Sequence, residues 1–143
     1  MEGISLFVEF SGQKYPELGI SGDYGDRTST DKKAWIAKRI EDWWAFLTAA
    51  GWCLLVNPRY GAENRFIRAF NAVTGENITV EDALKAGERI YNLKRSFNIK
   101  HGVSREEDTL PQRLLKEPNR KSNNAVVYLD KTMPEYLELR GWK

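Results

Sequence analysis

The chain has 143 residues and a formal net charge of +2, with 41% apolar and 29% charged residues. This composition is typical of one globular domain, the charge is too small to indicate nucleic acid as a partner, and no apolar run approaches the roughly 20 residues of a membrane helix. A single cysteine and a single histidine exclude an internal disulfide and a metal cage made from this chain's own Cys and His side chains, and the low cysteine content favours a cytoplasmic location.

The first 29 residues predict an extended segment followed by a loop. Four apolar side chains recur at period two, which is a strand signal: Ile4, Leu6, Val8 and Phe10. Residues 11–29 are rich in Gly, Ser and Pro, which is typical of a loop. We therefore expect an extended segment over 1–29 that precedes a helical domain over 30–143.

Thr30 is predicted to cap the first helix, which covers about 30–50. Its apolar residues fall on one stripe: Ile36, Ile40, Trp43, Leu47 and Ala50. Gly51 is well placed to end this helix. The apolar run that follows, 52–56, is too short for its period to decide between strand and buried loop.

Two further helices follow, over 61–73 and from Thr79 to about residue 101. The first is expected to turn four side chains inward: Phe66, Ile67, Phe70 and Val73. In the second, Thr79 and Asp82 have the spacing of a capping box, and Gly102 can end the helix. Its apolar stripe contains Ala83, Leu84, Gly87, Ile90, Tyr91, Leu93 and Phe97.

Gly87 is unusual within that stripe, because a glycine costs about 1 kcal/mol against alanine in an exposed helix. Its apolar neighbours predict that another backbone packs closely against it. Two short helices are then expected, over 112–117 after Pro111 and over 134–140 beginning at Pro134. The pattern as a whole predicts an all-α domain.

Cys53 and His101 are the side chains whose chemistry could serve catalysis or metal binding. Cys53 follows a helix end and is flanked by apolar residues, so the residues alone allow a buried structural cysteine or a thiolate presented to a metal cluster or a substrate. His101 lies at a predicted helix C-terminus, where the helix dipole favours an imidazole. Mixed acidic and basic residues on the same helix predict a solvated, ion-paired face.

One long segment resembles a known family. Residues 86–111, AGERIYNLKRSFNIKHGVSREEDTLP, resemble the C-terminal region of the tungsten-containing aldehyde:ferredoxin oxidoreductases, in which a helix G-E-R-I-x-N-L-x-R-x-F-N precedes R-x-x-D-x-L-P. Three shorter pieces also resemble segments of this family and follow one another in the same order, within 51–53, 70–75 and 135–142. Together they cover about residues 30–143.

The resemblance implies a multihelical domain like the C-terminal domain of that family, and it implies roles for four residues. The family motif D-x-x-G-L-C matches Thr48 to Cys53, so Cys53 corresponds to a ligand of a [4Fe–4S] cluster. Gly51 corresponds to the glycine beside the cofactors, Thr48 stands where the family has an aspartate that contacts a pterin, and Trp52 replaces leucine. The resemblance indicates no catalytic residue in this chain.

The family's remaining domains supply the other three cluster cysteines and most of the tungsten or molybdenum bispterin site. The resemblance therefore implies that this chain is part of an enzyme that oxidises aldehydes and passes electrons to ferredoxin. The partner of the chain would be the remaining domains or another subunit of that enzyme. We expect the isolated chain to hold no cofactor and to be inactive. The alternative is a metal-free accessory domain in which Cys53 is only structural.

Overall fold

Helices connected by short segments make up the described structure. The computed structural model describes residues 15–20, 29–52, 63–118, 124 and 126–142. Within them lie α1 (Lys33–Ala49), α2 (Glu63–Thr74), α3 (Val80–Lys100), α4 (Gln112–Lys116) and α5 (Leu129–Arg140), with 3₁₀ turns at Pro16–Leu18 and Arg105–Glu107. The all-α prediction is confirmed over these residues. The strand predicted at 4–10 and all but the first residue of the run 52–56 lie outside them.

α1 is the centre of the fold and packs against both α3 and α5. Its predicted stripe is buried at four positions, Ile36, Ile40, Trp43 and Leu47. Aromatic rings extend this core towards α2, where Phe66 meets Trp43 edge to face at 5.9 Å between ring centroids. Ala50, the fifth predicted member, is exposed because it caps the end of the helix.

The start of α1 differs from the prediction. The helix begins at Lys33, and its N-cap is Lys32 in the left-handed conformation rather than Thr30. The hydroxyl of Ser29 accepts a hydrogen bond from the backbone N–H of Asp31 at 3.1 Å, which holds a local turn just before the helix. Such side-chain bonds compete with the first helical turn and delay its start.

α3 has the predicted capping box. The Thr79 hydroxyl accepts from the Asp82 backbone N–H, and the Asp82 carboxylate accepts from the Thr79 backbone N–H at 3.0 Å. At the other end Gly102 adopts a positive φ of 88°, as its predicted role requires. These two signals are local, so the sequence suffices to place both ends of the helix.

Gly87 lies where α3 crosses α1, and the predicted close packing is confirmed. A β-carbon built on Gly87 would lie 1.8 Å from the backbone oxygen of Asp42. No side chain fits in that gap, so glycine is required for the two helices to approach this closely.

Three apolar residues predicted to face inward are exposed instead: Val73, Leu93 and Phe97. Each lies on the second half of its helix, whereas the buried residues of α2 and α3 lie in the first halves. Helical periodicity gives the face of a residue but not how far along the helix a neighbouring element reaches.

α5 begins earlier than predicted, at Leu129 rather than Pro134. A proline inside a helix lacks one N–H donor and crowds the carbonyl four residues before it, here that of Asp130. Burial of Leu129 and Leu137 on either side offsets this cost. α4 agrees with the predicted 112–117 to within one residue.

Residues 15–20 belong to the core. Tyr15, Leu18 and Ile20 are buried, and the Leu18 carbonyl accepts from Arg39 Nε of α1 at 3.0 Å. The division into 1–29 and 30–143 stays a prediction. Among the described residues, no helix combines the length and the apolar character needed to cross a bilayer.

Candidate functional site

The end of α1 carries the residues that the sequence singled out. Gly51 takes a positive φ of 77°, and its N–H bonds to the Thr48 carbonyl at 3.1 Å while the Trp52 N–H bonds to the Leu47 carbonyl at 3.0 Å. This pair of bonds is a Schellman motif, which turns the chain sharply away from the helix axis. The chain therefore leaves α1 just before Cys53, which itself lies outside the described residues.

Thr48 and Gly51 face outward, and Trp52 faces the core. Thr48 and Gly51 are exposed, and a β-carbon built on Gly51 would meet no atom of the described residues within 4 Å. The Trp52 ring is half-buried and meets the ring of Phe66 edge to face at 4.8 Å between centroids. Trp52 therefore anchors the helix end to α2, while Thr48 and Gly51 are accessible from outside.

The electrostatics of this helix end favour hydrogen-bond donors. A helix C-terminus carries a partial negative charge, and the last turn of α1 contains no basic residue that would neutralise it. The Thr48 hydroxyl at this end can donate or accept a hydrogen bond. Among the described residues, this helix end and hydroxyl are compatible with a ligand that brings N–H donors.

A buried ion cluster joins α1 to α5, and the sequence did not predict it. Arg140 has a fully buried side chain that pairs with Glu41 at 2.9 Å and with Asp42. The Tyr136 hydroxyl donates to Glu41 and accepts from Arg140 Nε at 3.0 Å. Both members of the adjacent pair Glu41 and Asp42 thus bind the Arg140 guanidinium, and Asp42 also pairs with Lys38 at 2.9 Å.

The pKa directions agree with a structural role for this cluster. Burial and the neighbouring Glu41 carboxylate raise the pKa of the Tyr136 hydroxyl far above its usual range. Burial acts to lower the pKa of Arg140, but the charges of its partners outweigh it and the net pKa is raised. Neither group exchanges a proton near neutral pH, so the cluster holds α5 on α1.

His101 and the charged residues of α3 have the structural roles that the sequence allowed. His101 is the C-cap of α3, and its ring meets the ring of Phe97 at 4.2 Å between centroids. Arg95 pairs with Asp108 through both guanidinium nitrogens, which ties the 105–107 turn to α3. No group of three or more possible metal ligands occurs among the described Cys, His, Asp and Glu residues.

A second carboxylate pair lies at the start of α2. Glu63 is buried, and Glu17 accepts a hydrogen bond from the Asn64 backbone N–H at 2.7 Å. Burial, together with the neighbouring Glu17, raises the pKa of Glu63 to about 7. Burial acts to raise the pKa of Glu17, but hydrogen bonds from Asn64 and Glu63 outweigh it and the net pKa is lowered. The pair is stable when Glu63 carries the proton.

We expect Glu63→Gln to remove a pH dependence of folding. The folded chain keeps its Glu63 proton up to about pH 7, whereas the unfolded chain loses it near the ordinary value of 4.5. Glu63 therefore adds to the free energy of unfolding at low pH. This contribution, about 2–3 kcal/mol, is lost as the pH rises through about 7. Denaturant melts at pH 5 and pH 8 measure the difference, and glutamine, which resembles the protonated form, abolishes this part of it.

The exposed Glu76→Gln provides the matched control, for which we expect the wild-type pH dependence. Identical pH dependence in Glu63→Gln and wild type contradicts the assignment.

Comparison with known proteins identifies the chain's relatives. A model of the family described as aldehyde ferredoxin oxidoreductase, domains 2 and 3, matches residues 4–143. The tungsten-containing aldehyde ferredoxin oxidoreductase of Pyrococcus abyssi is 41% identical over 116 residues, which are 79% of this chain and 19% of the relative. Those of Thermococcus kodakarensis and Pyrococcus horikoshii are 40% and 39% identical over the same shares.

The chain spans only about a fifth of these relatives, 19% of their length. No solved structure gave a significant match.

Proposed function

The chain belongs to the aldehyde ferredoxin oxidoreductase family, and we propose that it is the C-terminal helical part of a tungsten-containing enzyme that oxidises aldehydes to carboxylic acids and passes the electrons to ferredoxin. The similarity to the tungsten-containing relatives favours this function over a metal-free accessory domain. The proposal places the activity in the complete enzyme and not in this chain alone.

The end of α1 is the observation that carries the proposal. It combines an exposed Thr48, a Gly51 in the left-handed conformation with no described atom beside its β-carbon position, and a chain that leaves the helix immediately before Cys53. These are the positions that correspond to D-x-x-G-L-C. A glycine has no side chain, so a large group can approach its backbone closely.

In this proposal Cys53 completes a [4Fe–4S] cluster whose other three ligands come from the remaining part of the enzyme. Thiolates are the usual ligands of such clusters, and the surrounding groups tune their potential. Thr48 offers a hydroxyl to a pterin amine, a weaker contact than a carboxylate because it carries no charge. When bound, the tungsten pterin centre supplies the oxidation of the aldehyde, and the cluster carries the electrons onward.

A hybrid enzyme tests the proposal. In it, this chain replaces the matching segment of the Pyrococcus abyssi relative. We expect the hybrid to bind tungsten and iron and to oxidise aldehydes with a viologen dye as electron acceptor. Cys53→Ala is expected to lower the iron content and to reduce activity by more than about 100-fold, because changes outside the ligand shell of a metal already cost 10–100-fold.

Thr48→Asp is the matched control, since it introduces the family's carboxylate at the same helix end without touching the cluster ligand. We expect it to keep the iron content and at least the original activity. A soluble hybrid that lacks iron, or a Cys53→Ala hybrid that keeps its full iron content, refutes the proposed role of Cys53.

A further inference from the structure

The second half of α3 has an exposed apolar surface separate from the end of α1. Leu93 and Phe97 are 71% and 61% exposed and lie one helical turn apart. Ile90, half-buried, lies one turn before Leu93 on the same side. We call Ile90, Leu93 and Phe97 the α3 stripe.

The α3 stripe has the spacing of a helix-packing surface rather than of scattered surface residues. Single exposed apolar side chains are common, but positions i, i+3 and i+7 form a continuous line along a helix. The buried residues of α3 lie on a neighbouring side of the helix: Ala83, Leu84 and Gly87. The apolar arc of α3 is therefore wider than the part that α1 covers.

Positive charge borders the α3 stripe along one edge. At 100° per residue, Arg89 and Lys100 lie within about 40° of Leu93 around the helix. Both are exposed, and neither pairs with a carboxylate among the described residues. A surface that complements the stripe is thus apolar with acidic residues at its edge.

We propose that the α3 stripe is an internal interface of the complete enzyme, covered by an apolar, acid-edged surface of the polypeptide outside this chain. This proposal rests on the proposed function. The chain spans 19% of the length of its relatives, so most of the enzyme that could cover the stripe lies outside it. The stripe is then a second contact, in addition to the cofactor contact at Thr48 and Gly51.

Cysteine labelling of Leu93→Cys tests the proposal in two contexts. The variant is made in the isolated chain and in the hybrid enzyme, and each protein is treated with a maleimide and analysed by peptide mass spectrometry. Leu93 is exposed, so the substitution leaves the fold intact. The rate for the same peptide in denaturant serves as the unprotected reference.

We expect residue 93 to be labelled in the isolated chain at nearly the reference rate, and in the hybrid at least about tenfold more slowly. Equal rates in a hybrid that binds tungsten and oxidises aldehydes overturn the stripe proposal while leaving the proposed function intact. A hybrid that does not assemble overturns both. Protection in the isolated chain that disappears on dilution identifies a second copy as the occupant and also overturns the proposal.

Discussion

Arg140→Met is expected to destabilise the chain by about 3–5 kcal/mol, because it leaves the buried carboxylate of Glu41 without its cation and leaves Asp42 paired with Lys38 only. The Arg140 side chain is 0% exposed and pairs with both Glu41 and Asp42. It also packs over the ring of Tyr91, at 4.3 Å from the ring centroid. A denaturant melt gives the free energy of unfolding of each protein.

Two further variants make this prediction specific. Arg113→Met removes an arginine whose ion pair with Glu117 is largely exposed, and such pairs contribute at most about 1 kcal/mol. Adding Glu41→Gln to Arg140→Met removes the carboxylate that is left uncompensated, so much of the lost stability returns. A loss in Arg140→Met no larger than that in Arg113→Met shows that the cluster is not what holds α5 on α1.

Gly87→Ala is expected to destabilise the chain by at least about 3 kcal/mol, at the upper end of overpacking effects. The added β-carbon would lie 1.8 Å from the backbone oxygen of Asp42, so the two helices have to move apart. Separation of α1 from α3 also disturbs the neighbouring ion pair of Lys38 with Glu88, which joins them at 2.8 Å. The thermal midpoint and the denaturant midpoint both fall.

Ser96→Ala is the matched control on the same helix. Ser96 is exposed, so alanine brings its higher helix propensity there without an overlap. We expect a small gain in stability of about 0.5 kcal/mol. A Gly87→Ala protein as stable as the Ser96→Ala protein contradicts the close approach of the two helices.

The ends of the helices follow from residues a few positions apart. Thr79 and Asp82 start α3, and Gly51, Gly102 and Gly141 each end a helix with a positive φ. These signals involve hydrogen bonds between neighbours in the chain, so they are readable in the sequence. The same reasoning was wrong at Thr30, where the Asp31 N–H donates a competing local hydrogen bond to the Ser29 hydroxyl and the helix begins at Lys33.

The candidate site was only partly accessible to physical reasoning from the sequence. The residues alone left Cys53 open between a structural and a ligand role, and its role stays a prediction. The resemblance to a family singled out Thr48, Gly51 and Trp52. The structure then separated them, since Thr48 and Gly51 are exposed while Trp52 packs on Phe66.

The sequence by itself determined that this chain is helical, where most of its helices end and that a backbone approaches Gly87. Only the tertiary structure decided that Glu41 and Asp42 share Arg140, almost a hundred residues further along the chain. It also decided that Leu93 and Phe97 stay exposed. Local hydrogen bonds and helical period are encoded by neighbouring residues, whereas pairing and burial depend on which distant elements meet, and how far each one extends.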